Sequence, residues 1–176
     1  IMEFNNFKTD AHTILRLEIT NHCNFRCSYC FCAEQISSQN GMYMSKEKAK
    51  ELIQQAAEMG VRRFILIGGE PLLHPNIIEI IEYIKSKHGY SSLVTNGSLL
   101  MGPSGESKVQ QLANAGLRYL AISLDGISGK DPARVGAINH QLAEVAKASS
   151  KHIRTIIISV INQHNINLIL PMYEFM

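Results

Sequence analysis

The sequence predicts an α/β domain built on a parallel sheet. Short apolar runs alternate strictly with amphipathic helical stripes along the chain, and right-handed strand-helix-strand crossovers turn that order into parallel strands. Several stripes end on glycine, at Gly60, Gly89 and Gly116, where a helix is commonly stopped. The chemically interesting residues follow the strands rather than precede them, and parallel sheets gather their sites at the carboxyl ends of strands. The pattern fits a β/α barrel or an open doubly wound sheet.

Taken in order, Thr13 to Thr20 is the first predicted strand, ending at Asn21-His22. Ser45 is positioned to cap a helix in which Ala49, Leu52, Ile53, Ala56 and Ala57 share one face. Val61 to Ile67 is the second strand and closes on Gly68-Gly69-Glu70-Pro71. Pro75 suits a first helical position, and Ile77, Ile80, Ile81 and Ile84 form the stripe after it. Ser91 to Thr95 is the third strand, followed by a helix marked by Val109, Leu112 and Ala113. Leu117 to Leu124 is the fourth strand, turning away at Asp125-Gly126. Ile138, Leu142, Val145 and Ala146 mark a helix, and Ile153 to Val160 is the fifth strand. Asn165 is placed to cap one more helix, which Pro171 would interrupt early. Phe31 to Met44 and Leu99 to Ser107 read as the longer polar loops, the second being glycine-rich enough to move.

The 176 residues are 45% apolar and 18% charged, enough for one domain with a real core. A formal charge of +2 gives no reason to expect a nucleic-acid or membrane-surface partner. No apolar run is long enough to span a bilayer and no signal-peptide pattern opens the chain, so the cytoplasm is the expected compartment. The chain starts at Ile1 and stops at Met176 without a closing signal, so residues 1–176 are expected to be one domain, incomplete toward its C-terminus. Five strands would leave an unpaired parallel edge, which proteins usually pair or cover.

All four cysteines, Cys23, Cys27, Cys30 and Cys32, lie within ten residues. A disulfide framework staples distant segments instead, so the clustering points to metal. Cys23, Cys27 and Cys30 have a gap of three residues and then two, and closely spaced loop thiolates are the ligands of iron-sulfur clusters. Three ligands leave one iron open to a substrate or cofactor. A zinc site is the alternative, with Cys32 or His22 as fourth ligand, but the second ligand pair such sites use is missing downstream.

Cys23-Asn24-Phe25-Arg26-Cys27-Ser28-Tyr29-Cys30 resembles the signature of the radical S-adenosylmethionine (SAM) superfamily, including the aromatic residue before the last cysteine. Gly68-Gly69-Glu70-Pro71 resembles the family's second motif, and the likeness runs from Leu15 to about Asn165. The resemblance implies a partial (β/α)6-type barrel, of which about five units are present. It implies a 4Fe-4S cluster on Cys23, Cys27 and Cys30, with SAM chelated at the open iron. Cys32 is outside the family pattern and reads as a bystander or a buried free thiol.

SAM contacts follow by the same resemblance. Gly68, Gly69 and Glu70 would hold its amino group, and Ser123 and Asp125 would approach its ribose and carboxylate. Thr95 and Asn96 match a third-strand segment, Asn162 a polar position near the adenosine, and Tyr29 the aromatic that packs on adenine. Arg134 is a further candidate for the carboxylate. Each of these positions also has an ordinary reading as turn chemistry or loop packing. Glu18 is expected to face inward from the first strand, as a substrate contact or a hydrogen-bonded core carboxylate. His22, His74, His88, His140, His152 and His164 show no ligand spacing and read as surface or turn residues.

The implied chemistry is reductive cleavage of SAM to a 5′-deoxyadenosyl radical that abstracts hydrogen from a substrate. A one-electron donor such as flavodoxin or ferredoxin is the implied partner. Peptide modification, cofactor biosynthesis and small-metabolite rearrangement are all open as reactions. The competing readings are an iron-sulfur electron-transfer or sensor module and a zinc-stabilised binding domain.

Overall fold

A computed structural model describes residues 13–36, 40–125, 134–135, 139–163 and 165–175, with the side chains of 134–135 and 139–140 outside the description. Strand β1 (Ile14–Thr20) leads through a two-residue strand β2 (Arg26–Cys27) to helix α1 (Lys46–Glu58). Then come β3 (Arg63–Gly68), α2 (Ile77–Ser86), β4 (Tyr90–Thr95) and α3 (Gly105–Ala115). The chain continues through β5 (Leu117–Ser123), β6 (Arg134–Val135), α4 (Asn139–Ser149), β7 (Arg154–Ile158) and α5 (Ile169–Phe175).

The five predicted strands are β1, β3, β4, β5 and β7, and they form one parallel sheet in that order. Each new strand is added on the same side. A doubly wound sheet would reverse direction at a switch point, so the order decides for a partial β/α barrel. Among the described residues β1 and β7 are its two free edges.

Alternation separates the two faces of the sheet. Leu17, Ile19, Phe64, Leu66, Leu93, Leu120 and Ile122 are buried on the helical side. They meet Ile53 from α1, Ile80, Ile81 and Ile84 from α2, and Val109 and Leu112 from α3. The other face is open. Arg16, Ile65, Ser92, Tyr119 and Arg154 make one lateral row across it, and Glu18, Ile67, Val94, Ala121 and Ile156 make the next. Its apolar residues at the β7 edge are exposed, Ile156 by 43% and Ile158 by 40%.

Several boundaries depart from the sequence reading. Ser45 does cap α1, its hydroxyl accepting from Lys48 N–H at 3.1 Å. Pro75 is not the first helical residue, because α2 starts two residues later behind Asn76. The segment from Leu99 to Ser107 is not one loop, since Ser98–Leu100 is a 3-10 turn and α3 begins at Gly105. Pro171 does not interrupt the last helix. It is the third residue of α5, within the first turn, where the missing N–H costs nothing. Gly126, Ile138 and His164 lie outside the described residues.

Strands β2 and β6 were not foreseen. They pair antiparallel, Arg26 opposite Val135 and Cys27 opposite Arg134. This short ribbon ties the cysteine loop to the segment between β5 and α4. A second small apolar cluster underlies the same loop, made by Cys23, Phe25, Leu124, Leu142, Ala143 and Met172, with Cys27 packed against it.

Candidate active site at the carboxyl edge of the sheet

The cysteine loop leaves β1 at Thr20 and is fastened to the turn after β3 through backbone hydrogen bonds. Gly69 N–H donates to the Thr20 carbonyl and Glu70 N–H to the His22 carbonyl, both at 2.7 Å. This closeness explains the paired glycines. A Cβ on Gly68 would stand 2.1 Å from the Thr20 oxygen, and one on Gly69 would stand 2.2 Å from the His22 oxygen. Gly68 also has φ +142°, which side-chain-bearing residues rarely adopt. The same closeness seats this turn against the segment that leads from β1 into the cysteine loop.

Glu70 is fully buried. One carboxylate oxygen accepts from Leu72 N–H at 2.9 Å and Thr95 Oγ1 at 2.7 Å, and the other accepts from Asn96 N–H at 2.7 Å. It therefore joins the turn after β3 to the end of β4. A carboxylate offers about four acceptor sites, so these three donors leave it little free capacity. Asn96 continues the chain of contacts. Its Nδ2 donates to Asn24 Oδ1 at 2.9 Å, and its Oδ1 accepts from Ser98 N–H at 2.9 Å and from Ser98 Oγ at 2.6 Å. Asn24 in turn donates to Ser98 Oγ at 2.8 Å. Asn24 and Ser98 were missed in the sequence because nothing local marks either as a site residue. Only folding brings them together, 74 residues apart.

Asp125 does the corresponding work on the other side. It is buried, and its carboxylate accepts from the Tyr29 hydroxyl and from Val160 N–H, the latter at 2.8 Å. Tyr29 is thus tied by its hydroxyl to the end of β5, a contact that the adenine-packing expectation did not include. Ser123, half-buried, lies on the open face at the carboxyl end of β5. Asn162 sits in the turn after β7, where its N–H donates to Asn165 Oδ1 at 2.8 Å. Asn165 Nδ2 reaches back to the Val160 carbonyl at 2.8 Å, so Asn165 shapes this turn with no capping bond from its side chain to the following turn.

Cys23 is buried and Cys27, Cys30 and Cys32 are half-buried. Burial pushes the Cys23 thiol up, and nearby Glu70 and Cys30 add to the effect. Cys30 and Cys32 have their sulfurs 3.5 Å apart. Burial, then the hydrogen bond with Cys30, pushes Cys32 up to about 12. Cys32 is therefore a neighbour of the expected ligand set, not a deeply buried thiol. Among the described residues no three His, Cys, Asp or Glu side chains are already drawn together at metal-binding distance. What the loop does supply is soft donors of the type iron-sulfur clusters take, on backbone fixed at both ends. The donor set thus fits a cluster.

Glu18 is exposed on the open face, so it is not a core carboxylate. His74 is not a surface residue. It is buried, its Nε2 lying 2.8 Å from the Met44 carbonyl while its Nδ1 accepts from Asn76 N–H at 3.1 Å. The backbone of Arg134 is in β6, and its side chain is outside the described residues.

The profile of the Radical SAM superfamily matches residues 17–176. The chain belongs to the Radical SAM superfamily. Membership makes it an enzyme and brings a 4Fe-4S cluster and SAM as its cofactors. A curated relative, GTP 3′,8-cyclase of Limosilactobacillus fermentum, is 34% identical over 156 residues, covering 85% of this chain and 46% of the relative. The probable GTP 3′,8-cyclase of Methanocaldococcus jannaschii is 39% identical over 115 residues, 65% of this chain and 37% of the relative. The chain thus spans about half the length of the first of these, 46%, and less of the second. Among solved structures, Streptococcus suis SuiB bound to precursor peptide superposes with TM-score 0.76 at 19% identity, over 92% of this chain and 36% of that one. The structure of anSMEcpe with bound AdoMet gives TM-score 0.70 at 20% identity, over 92% and 47%. These likenesses support the fold. No helix among the described residues is long and apolar enough to cross a membrane.

Proposed function

We propose that this radical SAM enzyme binds its cluster through Cys23, Cys27 and Cys30, with Cys32 outside the ligand set. The observation that carries the reading is the pinning of the cysteine loop to the turns after β3, β4 and β5 through Gly69, Asn96 and Asp125. Those turns then form the cradle for SAM, with Gly68, Gly69, Glu70, Thr95, Asn96, Ser123, Asp125, Asn162 and Tyr29 around it. Bound there, the cluster and SAM would supply radical hydrogen-abstraction chemistry. The protein's own part is to fix the loop, to orient SAM by backbone and small polar groups, and to leave the open sheet face for the substrate. Glu70 acts through Thr95 and Asn96, holding the β4 end in place.

The likeness to GTP 3′,8-cyclases makes cofactor biosynthesis on a purine nucleotide the first substrate class to test, with GTP as the first compound. A small one-electron carrier, flavodoxin or ferredoxin, is the proposed reductant. The test is anaerobic. Reconstituted protein, dithionite and SAM should yield 5′-deoxyadenosine by chromatography, slowly without substrate. Cys27→Ala should lose most iron and sulfide, while Cys32→Ala should keep both. No product, together with no SAM-induced change in the electron paramagnetic resonance spectrum of the reduced cluster, would leave only the electron-carrier reading.

A further inference from the structure

The carboxyl edge of the sheet accounts for the motifs, but the amino-terminal end of the open face carries a separate group of residues. Tyr119 on β5 lies beside Ser92 of β4 and Arg154 of β7 in register. The Arg118 guanidinium stacks over the Tyr90 ring at 4.8 Å and lies 5.7 Å from the Tyr119 ring centre. Arg154 and Arg118 beside it hold the Tyr119 phenol below the usual tyrosine range. Two arginines therefore flank one tyrosine, Arg118 over its ring and Arg154 opposite it on β7. Neither is ion-paired among the described residues, whose ion pairs are Lys46–Glu79, Lys48–Glu51 and His152–Glu106. Positive charges gathered at one place on a surface favour an anion there. Guanidinium forks are also the side chains best matched to planar or tetrahedral oxyanions.

The position of the group matters as much as its charge. Tyr119 and Ser123 are four residues apart on the same face of β5, about 13 Å at the rise of a parallel strand. Between them Val94, Ala121 and Ile156 make the row apolar around β5, with the exposed Glu18 at its far β1 end. A ligand lying down this face would meet polar groups at its top, hydrocarbon in the middle and paired arginines at its foot.

We propose that Arg118, Tyr119 and Arg154 form an anion subsite that anchors the end of the substrate remote from hydrogen abstraction. The substrate accordingly carries a phosphate or a carboxylate at the end that points away from the carboxyl edge. The inference rests on the reading above, in which the carboxyl edge holds SAM.

The test separates the two. Inorganic pyrophosphate and succinate are titrated into the full-length protein by calorimetry at low salt. Saturable pyrophosphate binding without succinate binding assigns a phosphate-ended substrate, and the reverse assigns a carboxylate-ended one. Arg154→Gln should weaken the bound probe about tenfold or more, and Tyr119→Phe less. Arg154→Lys should recover part of the loss, and circular dichroism melting checks that each variant is folded. Cys27→Ala, defective in the cluster, should bind the probe like the parent, so the subsite is tested even if the cluster assignment fails. Absence of saturable binding for both probes, or binding indifferent to Arg154→Gln and Tyr119→Phe alike, overturns the proposal.

Discussion

The turn after β3 and the turn after β5 each bury a carboxylate, yet the two do different work. Glu70 takes its three donors from its own turn and from β4 and the residue after it. It fixes one piece of the sheet edge to the next. Asp125 takes one donor from beyond the end of β7 and one from Tyr29 in the cysteine loop. It fixes the loop to the sheet. The same chemical group thus serves as frame in one place and as latch in the other. The difference follows from what each strand end faces, since a buried carboxylate must find donors wherever the fold supplies them.

The comparison can be broken most severely at the frame. Gly69→Val would drive a side chain into the His22 carbonyl, which lies 2.2 Å from the Cβ position. The expected result is loss of cluster loading as well as of SAM binding, read as iron content and a melting temperature lowered by several degrees. Normal iron content with weakened SAM binding alone would mean that this glycine serves the cofactor and not the loop.

Glu70→Ala comes next. It strands Thr95 Oγ1 and two backbone N–H groups in a buried site, and each such loss typically costs about 1–3 kcal/mol. A destabilisation of roughly 3 kcal/mol in denaturant unfolding is expected. At the latch the effect should be smaller. Tyr29→Phe removes one hydroxyl from Asp125 and should cost about 1 kcal/mol. It should also slow cluster reconstitution, whereas Glu70→Ala should show mainly in stability. If Tyr29→Phe reconstitutes at the parent rate, the latch reading is lost.

The smallest effect is expected at Ser91, on the same strand as Thr95. Both residues are buried, but Ser91 Oγ has no hydrogen-bond partner among the described residues while Thr95 Oγ1 is bonded to Glu70. Ser91→Ala should therefore leave stability unchanged or raise it by up to about 1 kcal/mol. A clear loss in urea unfolding would mean that this hydroxyl has a partner in solution.

Much of this was legible in the chain. The apolar periodicity of Ile77, Ile80, Ile81 and Ile84 places α2 against the sheet, and these four are buried. The cysteine spacing and the Gly68-Gly69-Glu70 motif point to the edge where the loop and turn meet. The roles inside that edge were not legible. Nothing local announces the His22 carbonyl that Gly69 lies against, and Tyr29 gives no sign in the sequence of its bond to an aspartate 96 residues away. His74 reads as a turn histidine because nothing local announces the Met44 carbonyl that it meets.

What the sequence determined by itself is therefore local: which segments are strands and helices, which cysteines share a loop, and which family the motifs resemble. Those properties depend on side-chain periodicity and on spacing within a few residues. The tertiary structure alone decided that the strands add in one direction into a partial barrel, that Glu70 frames and Asp125 latches, and that Arg118 and Arg154 flank Tyr119. These depend on contacts between residues far apart in the chain. No local pattern encodes them, because a hydrogen bond or a gathering of charges is set by distance in space.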